Sequence, residues 1–312
     1  MTFNHSYARR LKMSGTHSFK VDTRNEHVKI YVNGEIVPRK DAKISVFDSG
    51  FLLGDGMWES FRFHKGKLAF VKEHMERLNE NAKALDIRLH MSDEQIIEAV
   101  YSTVRANNMT SDVHIRMIVS RGLKATPYQN PRVNIGNPTL VIIPEYKVTT
   151  GADDPLNLYT VHVRRGQPDV MDPKLHPLSK MNCILACIQV NAAGADEGLM
   201  LDPHGFVAAC NSTSFFIVKK GEVWTSTGKY CLHGVTRGNI IQLCKKNSID
   251  VFEKDFSLID VYSADESFVT GTFGGVKPVS HVDGRIIGDG NRGPVTQRLG
   301  QLYHQLLEDE CA

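Results

Sequence analysis

The stretch "LHGVTRGNIIQLCKKN", residues 232–247, sets a glycine, a Val-Thr pair and an arginine directly before a segment that reads as a helix, with apolar Ile240, Ile241, Leu243 and Cys244. The first turn of a helix has backbone N–H groups without partners and carries the positive end of the dipole, so it attracts anions. Gly234 lets the backbone come close to such an anion, and the Thr236 hydroxyl adds a donor. Taken alone, Thr236 reads more simply as the cap of a surface helix. The rest of the chain decides between the two.

A chain of 312 residues, 41% hydrophobic and 23% charged, has ordinary globular chemistry and length enough for two packed domains. Its formal net charge of +2 carries no electrostatic footprint for nucleic acid, so the expected partners are small molecules. No apolar run approaches the ~20 residues of a membrane helix. Six unevenly spaced cysteines in a chain of this size point to reduced thiols and a cytoplasmic setting. Cys183 and Cys187 are four apart, but no matching His or Cys pair accompanies them, so they read as small core residues and no metal is expected.

Residues 1–26 are basic and serine-containing, with no acid before Asp22; they read as a polar arm rather than a transit peptide. An α+β domain is expected over 27–145. "VKIYVNGEIVPR" alternates around Asn33-Gly34 as a hairpin. Apolar residues at 71, 75, 78, 82 and 85 make a helical stripe, and Ser92 with Gln95 forms a capping box before a second helix. "DVHIRMIVSRG" and "PTLVIIPEY" read as strands. A Gly-, Asp- and Pro-containing linker is expected over 146–156. The remainder, 157–312, reads as a larger domain with strands near 158–164, 198–202 and 214–218 and helices from about Lys180 to Ala193, after Thr236, at 257–263 and at the C-terminus.

"GDGNRG", 288–293, matches a dinucleotide fingerprint literally, yet the chain ends with the next helix and leaves no βαβ unit, so it is a turn before Pro294. "TGTFGG", 270–275, ends an apolar strand with Thr270, Gly271 and Thr272 as a second backbone-and-hydroxyl anion cradle. Arg77 in "EHMERL" lies beside the apolar stripe of its helix, where its planar donors can snorkel to water or fork onto a phosphate.

In order along the chain, "LLGDGMWESFRFHKGKLAFVKEHMERL", "HGVTRGNIIQLC", "VYSADESFVTGT" and "GDGNRGPVTQRL" resemble the successive signatures of the class IV (fold-type IV) pyridoxal-phosphate aminotransferases. That family includes branched-chain and D-amino-acid aminotransferases and aminodeoxychorismate lyase. The resemblance runs from about His27 to Glu308 and implies an α+β and α/β two-domain fold, with pyridoxal 5′-phosphate between the domains of a homodimer. It implies that Arg77, Val235, Thr236, Gly271 and Thr272 hold the cofactor phosphate, which answers the question raised by residues 232–247.

The family's lysine forms a Schiff base with the cofactor and shuttles a proton. Lys180, with Asn182 two residues on, fits the family's local pattern but lies about four residues closer to Gly194, close to one helical turn. Lys174 is nearer the family count but is followed by His176-Pro177. Lys180 is the expected catalytic residue, with Lys174 as runner-up.

Two departures stand out. The family's glutamate against the pyridine nitrogen aligns with Ala209, and no acid occurs between Gly205 and Lys219. A family asparagine is replaced by Ser214. Hydroxyls of Ser212, Thr213 or Ser214, or an acid from elsewhere in the chain, have to serve instead, or the electron sink is weaker. On the substrate side Arg62 matches a branched-chain motif, Lys124 stands near the place of a carboxylate-binding arginine now occupied by Thr126, and Phe273, Trp58 and Phe61 are candidate pocket walls. The expected activity is transfer of an amino group from an amino acid or amine to a 2-oxo acid. The alternatives are a lyase of the aminodeoxychorismate type and a degenerate cofactor-binding protein.

Overall fold

Asn33 and Gly34, with φ of 50° and 102°, turn the chain between β1 (Lys29–Val32) and β2 (Glu35–Pro38). Such a turn needs positive φ at both central residues, which is why an Asn-Gly pair marks it. The computed structural model describes residues 22–147 and 154–312; the arm up to residue 21 and residues 148–153 of the expected linker lie outside the described residues.

After the hairpin come α1 (Ser49–Leu53), β3 (Gly56–His64), β4 (Lys67–Leu68), α2 (Val71–Ala84), α3 (Asp93–Ala106), β5 (Val113–Ser120), β6 (Leu123–Lys124), β7 (Asn134–Ile135) and β8 (Thr139–Tyr146). β1 to β5 and β8 form an antiparallel sheet in the order β2-β1-β8-β5-β3-β4. α2 and α3 cover one face. Met75, Leu78 and Ala82 of α2 and Ile96, Val100 and Val104 of α3 meet Val113, Ile115, Met117 and Val119, the inward row of β5. α3 starts at a capping box, with Gln95 N–H donating to Ser92 Oγ (3.3 Å) and Ser92 N–H to Gln95 Oε1 (2.8 Å). The other row of β5, His114, Arg116 and Ile118, pairs across the sheet with Arg62, Ser60 and Trp58 of β3 and remains only partly buried.

The second half consists of β9 (Leu156–Thr160), α4 (Pro168–Met171), α5 (Met181–Ala193), β10 (Glu197–Leu201), β11 (Val207–Cys210), β12 (Ser214–Lys219), β13 (Glu222–Thr225), α6 (Val235–Lys246), β14 (Val251–Glu253), α7 (Leu258–Tyr262), β15 (Glu266–Gly271), β16 (Gly275–Val282), β17 (Arg285–Ile286) and α8 (Pro294–Glu310). Its nine strands make one mixed sheet, β11-β10-β9-β16-β15-β12-β13-β14 with β17 beside β16. The pairs β9–β10, β9–β16 and β13–β14 are parallel. α6 and α8 cover one face through Ile240, Ile241, Cys244, Leu299, Tyr303 and Leu307, and α7 helps close the other around Val261. The β15–β16 turn leans on the partly buried face of the first sheet: the Phe273 ring lies 5.9 Å from that of His114 and 5.2 Å from the Arg62 guanidinium.

Candidate active site

β3 carries a carboxylate inside its buried row. Glu59 is 1% exposed, between core residues Met57 and Phe61. A charge there is tolerable only when paired and hydrogen-bonded. Arg77 of α2 supplies the pairing in a bidentate fork, Nε to Oε1 at 2.8 Å and Nη2 to Oε2 at 2.7 Å. His74, one turn earlier, contacts Oε2 through Nδ1 at 2.8 Å, and His176 Nδ1 lies 3.5 Å from Oε1. Although burial alone would raise it, the bonds from Arg77, His176 and His74 hold the Glu59 carboxyl well below its ordinary range. Burial pushes the His176 imidazole down to about 3, so it is neutral at physiological pH.

Arg77 also reaches the second half, donating from Nη1 to His233 O at 3.1 Å. A guanidinium has five N–H groups. Three are used here, which leaves one on each terminal nitrogen, a pair suited to an oxyanion. Two residues beyond His233, α6 begins at Val235. Its N-cap is Gly234, which has no side chain to satisfy the first-turn N–H groups of Val235 and Thr236. Thr236 is therefore inside the first turn and is not the cap.

The second cradle lies alongside. A Cβ on Gly234 would sit 3.3 Å from Ser214 Oγ, and one on Gly271 would sit 3.5 Å from Thr213 Cγ2. Ser214 is in register with Thr270, whose buried Oγ1 has no hydrogen-bond partner among the described residues. Thr272 follows, partly buried in the turn. Uncapped N–H groups, a cation with two donors to spare and an orphaned hydroxyl thus lie close together, a donor set suited to an oxyanion such as a phosphate.

Lys180 immediately precedes α5, partly buried, with Nζ 5.8 Å from the Trp58 ring centroid. Burial pushes its ammonium down to about 8; the guanidiniums of Arg165, Arg77 and Arg116 push the same way and the Cys183 sulfur opposes them. Lys174 is exposed, with its backbone N–H on Asp172 Oδ1. The segment between the two lysines is fastened to the first half: Trp58 N–H donates to His176 O, Leu178 N–H to Gly56 O, and His176 N–H to Asn81 Oδ1.

Trp58 lies beside His176, with ring centroids 3.7 Å apart and planes tilted by 39°, and the Arg116 guanidinium sits over its ring at 3.8 Å, whereas Phe61 belongs to the core beneath. Arg62 donates to Phe273 O at 3.3 Å, so these two candidates meet. Lys124 does not join them. It is 2% exposed and held within its own loop by Asn134 Oδ1 at 3.0 Å. Arg121 forks onto Asp55 and caps the carbonyls of Leu85 and Asp86, a structural role. Glu59, His176, Arg116 and Arg165 are not among the residues that sequence reasoning singles out. Glu59 has a signal, the lone acid in the aromatic-rich stretch "GMWESFRFH".

A family model described as "Amino-transferase class IV" matches residues 56–282. The chain belongs to the class IV aminotransferase family. Its relatives in that family include Branched-chain-amino-acid aminotransferase-like protein 2 of Arabidopsis thaliana, 40% identical over 285 residues, covering 91% of this chain and 51% of that protein. A putative branched-chain-amino-acid aminotransferase of Methanocaldococcus jannaschii is 39% identical over 280 residues, covering 89% of this chain and 96% of that one. Among solved structures, the T.th. branched-chain amino acid aminotransferase complexed with N-(5′-phosphopyridoxyl)-L-glutamate superposes with a TM-score of 0.84 at 31% identity, covering 91% of this chain and 95% of that one. This class IV chain spans about half the length of the Arabidopsis relatives it matches. Among its described residues no helix is long and apolar enough to cross a membrane.

Proposed function

We propose that this class IV chain is a pyridoxal-phosphate-dependent aminotransferase acting between a branched-chain amino donor and a 2-oxo acid. The observation that carries the reading is a lysine amine desolvated to about 8 within electrostatic reach of Arg77, whose remaining donors lie beside the uncapped start of α6. Arg77, the N–H groups of Val235 and Thr236, and the Gly271–Thr272 turn would hold the phosphate. The cofactor, when bound, supplies an aldehyde that accepts an amine and a ring that delocalises the electrons left at the substrate Cα.

Lys180 has two tasks in this reading. Its lowered pKa keeps a usable fraction of Lys180 as the free amine near neutrality, the form that would hold the cofactor. The same amine would accept the substrate Cα proton and return it later in the reaction. Arg116 makes no ion pair among the described residues and stacks on Trp58, which suits it to orient a substrate carboxylate. Trp58 and Phe273 offer apolar surface for an aliphatic side chain.

The assembly is proposed to be a homodimer. Met181, Ile184, Leu185 and Ile188 form an exposed apolar stripe along α5, and Val46, Phe47 and Phe51 are exposed near α1. Such patches favour burial against a second copy. All six cysteines are free, in keeping with a cytoplasmic setting.

Single-turnover incubation of the cofactor-loaded protein with L- and D-branched-chain amino acids tests the activity. Pyridoxamine phosphate and one equivalent of 2-oxo acid are expected with one enantiomer. Product release without pyridoxamine phosphate would favour a lyase, and no change with any donor would favour a degenerate binding protein.

A further inference from the structure

The segment from β11 to the start of β12 departs from the family at Ala209 and Ser214, yet a carboxylate reaches the turn between them from the neighbouring strand. Glu197, first residue of β10 and 1% exposed, accepts three bonds there with Oε1. They come from Ser212 Oγ at 2.5 Å, Thr213 Oγ1 at 2.8 Å and Ser212 N–H at 3.3 Å. The turn is held in place by Cys210 N–H on Thr213 O (2.9 Å) and by Gly198 N–H on Asn211 Oδ1 (2.7 Å). It also borders the phosphate cradle, since Thr213 packs against Gly271.

A hydroxyl that donates to a carboxylate keeps two lone pairs, and the charge behind it makes them better acceptors. Ser212 and Thr213, three and four residues beyond Ala209, are therefore acid-backed acceptors beside the cradle. We propose that Glu197, acting through the Ser212 and Thr213 hydroxyls, is the positioning residue that keeps the cofactor's pyridine nitrogen protonated in place of the absent carboxylate at 209. The inference rests on the cofactor reading above.

Several charged and titratable groups face this acid. Lys277 on β16, at 9% exposure, lies within its field, as do the Cys187 and Cys210 thiols, whose titration burial raises and Glu197 raises further. Arg165 donates to Cys210 O and contacts Cys183 Sγ at 3.8 Å, so a guanidinium borders the same turn. Lys277 also lies in the field of Asp154 and Asp196; removing Glu197 still shifts the balance beside Arg165 towards positive charge, which disfavours a protonated ring nitrogen.

The test is 15N NMR of the protein loaded with cofactor labelled at the ring nitrogen. The wild type is expected in the protonated range and Glu197→Gln in the unprotonated range. Ala209→Glu, added to Glu197→Gln, should restore protonation. Ser212→Ala with Thr213→Val keeps the Glu197 charge but breaks the relay, and is also expected to leave the nitrogen bare. This pair supplies the result should Glu197→Gln fail to fold. A bare nitrogen in the wild type, or a protonated one in both Glu197→Gln and the hydroxyl pair, overturns the proposal while leaving the cofactor reading intact. A protein that binds no cofactor overturns both.

Discussion

The two ends of the proposed site are built by opposite means. At the phosphate end the donors are local: the start of α6, the turn after β15 and one arginine on α2, each within a short continuous motif. Across β11 and the start of β12 the family's acid and amide are absent, and the carboxylate that bonds the turn between these strands is Glu197, on another strand. Anion recognition by backbone N–H groups requires little of the side chains, so the chain keeps it wherever a helix starts with a glycine N-cap. A protonation state needs a fixed charge close by. That charge can come from any element the sheet brings near, so its residue position is free to move.

The largest effect separating the lysine from everything around it is expected for Lys180→Ala. It should reduce transfer by about two to four orders of magnitude, the worth of a general acid–base group. Lys174→Ala should leave both the cofactor absorbance and turnover within about twofold. Steady-state rates and spectra of the two variants decide this.

Arg77 probes the phosphate end. Arg77→Ala leaves the Glu59 carboxylate buried without its main partner, a change that typically costs about 3–5 kcal/mol. Denaturant unfolding should register it, together with weaker cofactor binding. Glu59→Gln combined with Arg77→Met should be clearly more stable than Arg77→Ala while still binding cofactor poorly. If both variants bind cofactor normally, the phosphate is held elsewhere.

The rate of cofactor capture gives a pH signature. The free amine is the nucleophile, so below its pKa the rate should fall about tenfold per pH unit, and above it the rate should level off. With the Lys180 ammonium pushed down to about 8, the plateau should begin near there. An ordinary exposed lysine would keep gaining to about 10.4. The smallest effect is expected for Thr270→Val. Its hydroxyl has no partner among the described residues, so stability should change by less than about 1 kcal/mol, and cofactor affinity should fall only a few-fold.

Elements whose pattern is set by one neighbour are legible in the sequence. The stripe at 71, 75, 78, 82 and 85 is α2, and Ser92 with Gln95 caps α3 through both expected bonds. β3 does not read as a strand because Glu59 interrupts its buried row, and what makes the charge tolerable lies 15, 18 and 117 residues away. β16 is obscured by Pro278, a residue that argues against a strand interior. The site divides in the same way. The helix start, the glycine-threonine turn and the loss of acid at 209 are visible in single segments. The fork of Glu59 on Arg77, the stacking of Arg116 on Trp58 and the reach of Glu197 to Ser212 are made by the sheets, and no short window contains both partners.

The most direct test of the central claim is to load the protein with pyridoxal phosphate, reduce it with borohydride and map the modified peptide by mass spectrometry. Reduction fixes the cofactor on whichever amine holds it. A phosphopyridoxyl group on Lys180 is the predicted result. Modification of Lys174 alone, or of no lysine, would contradict the account.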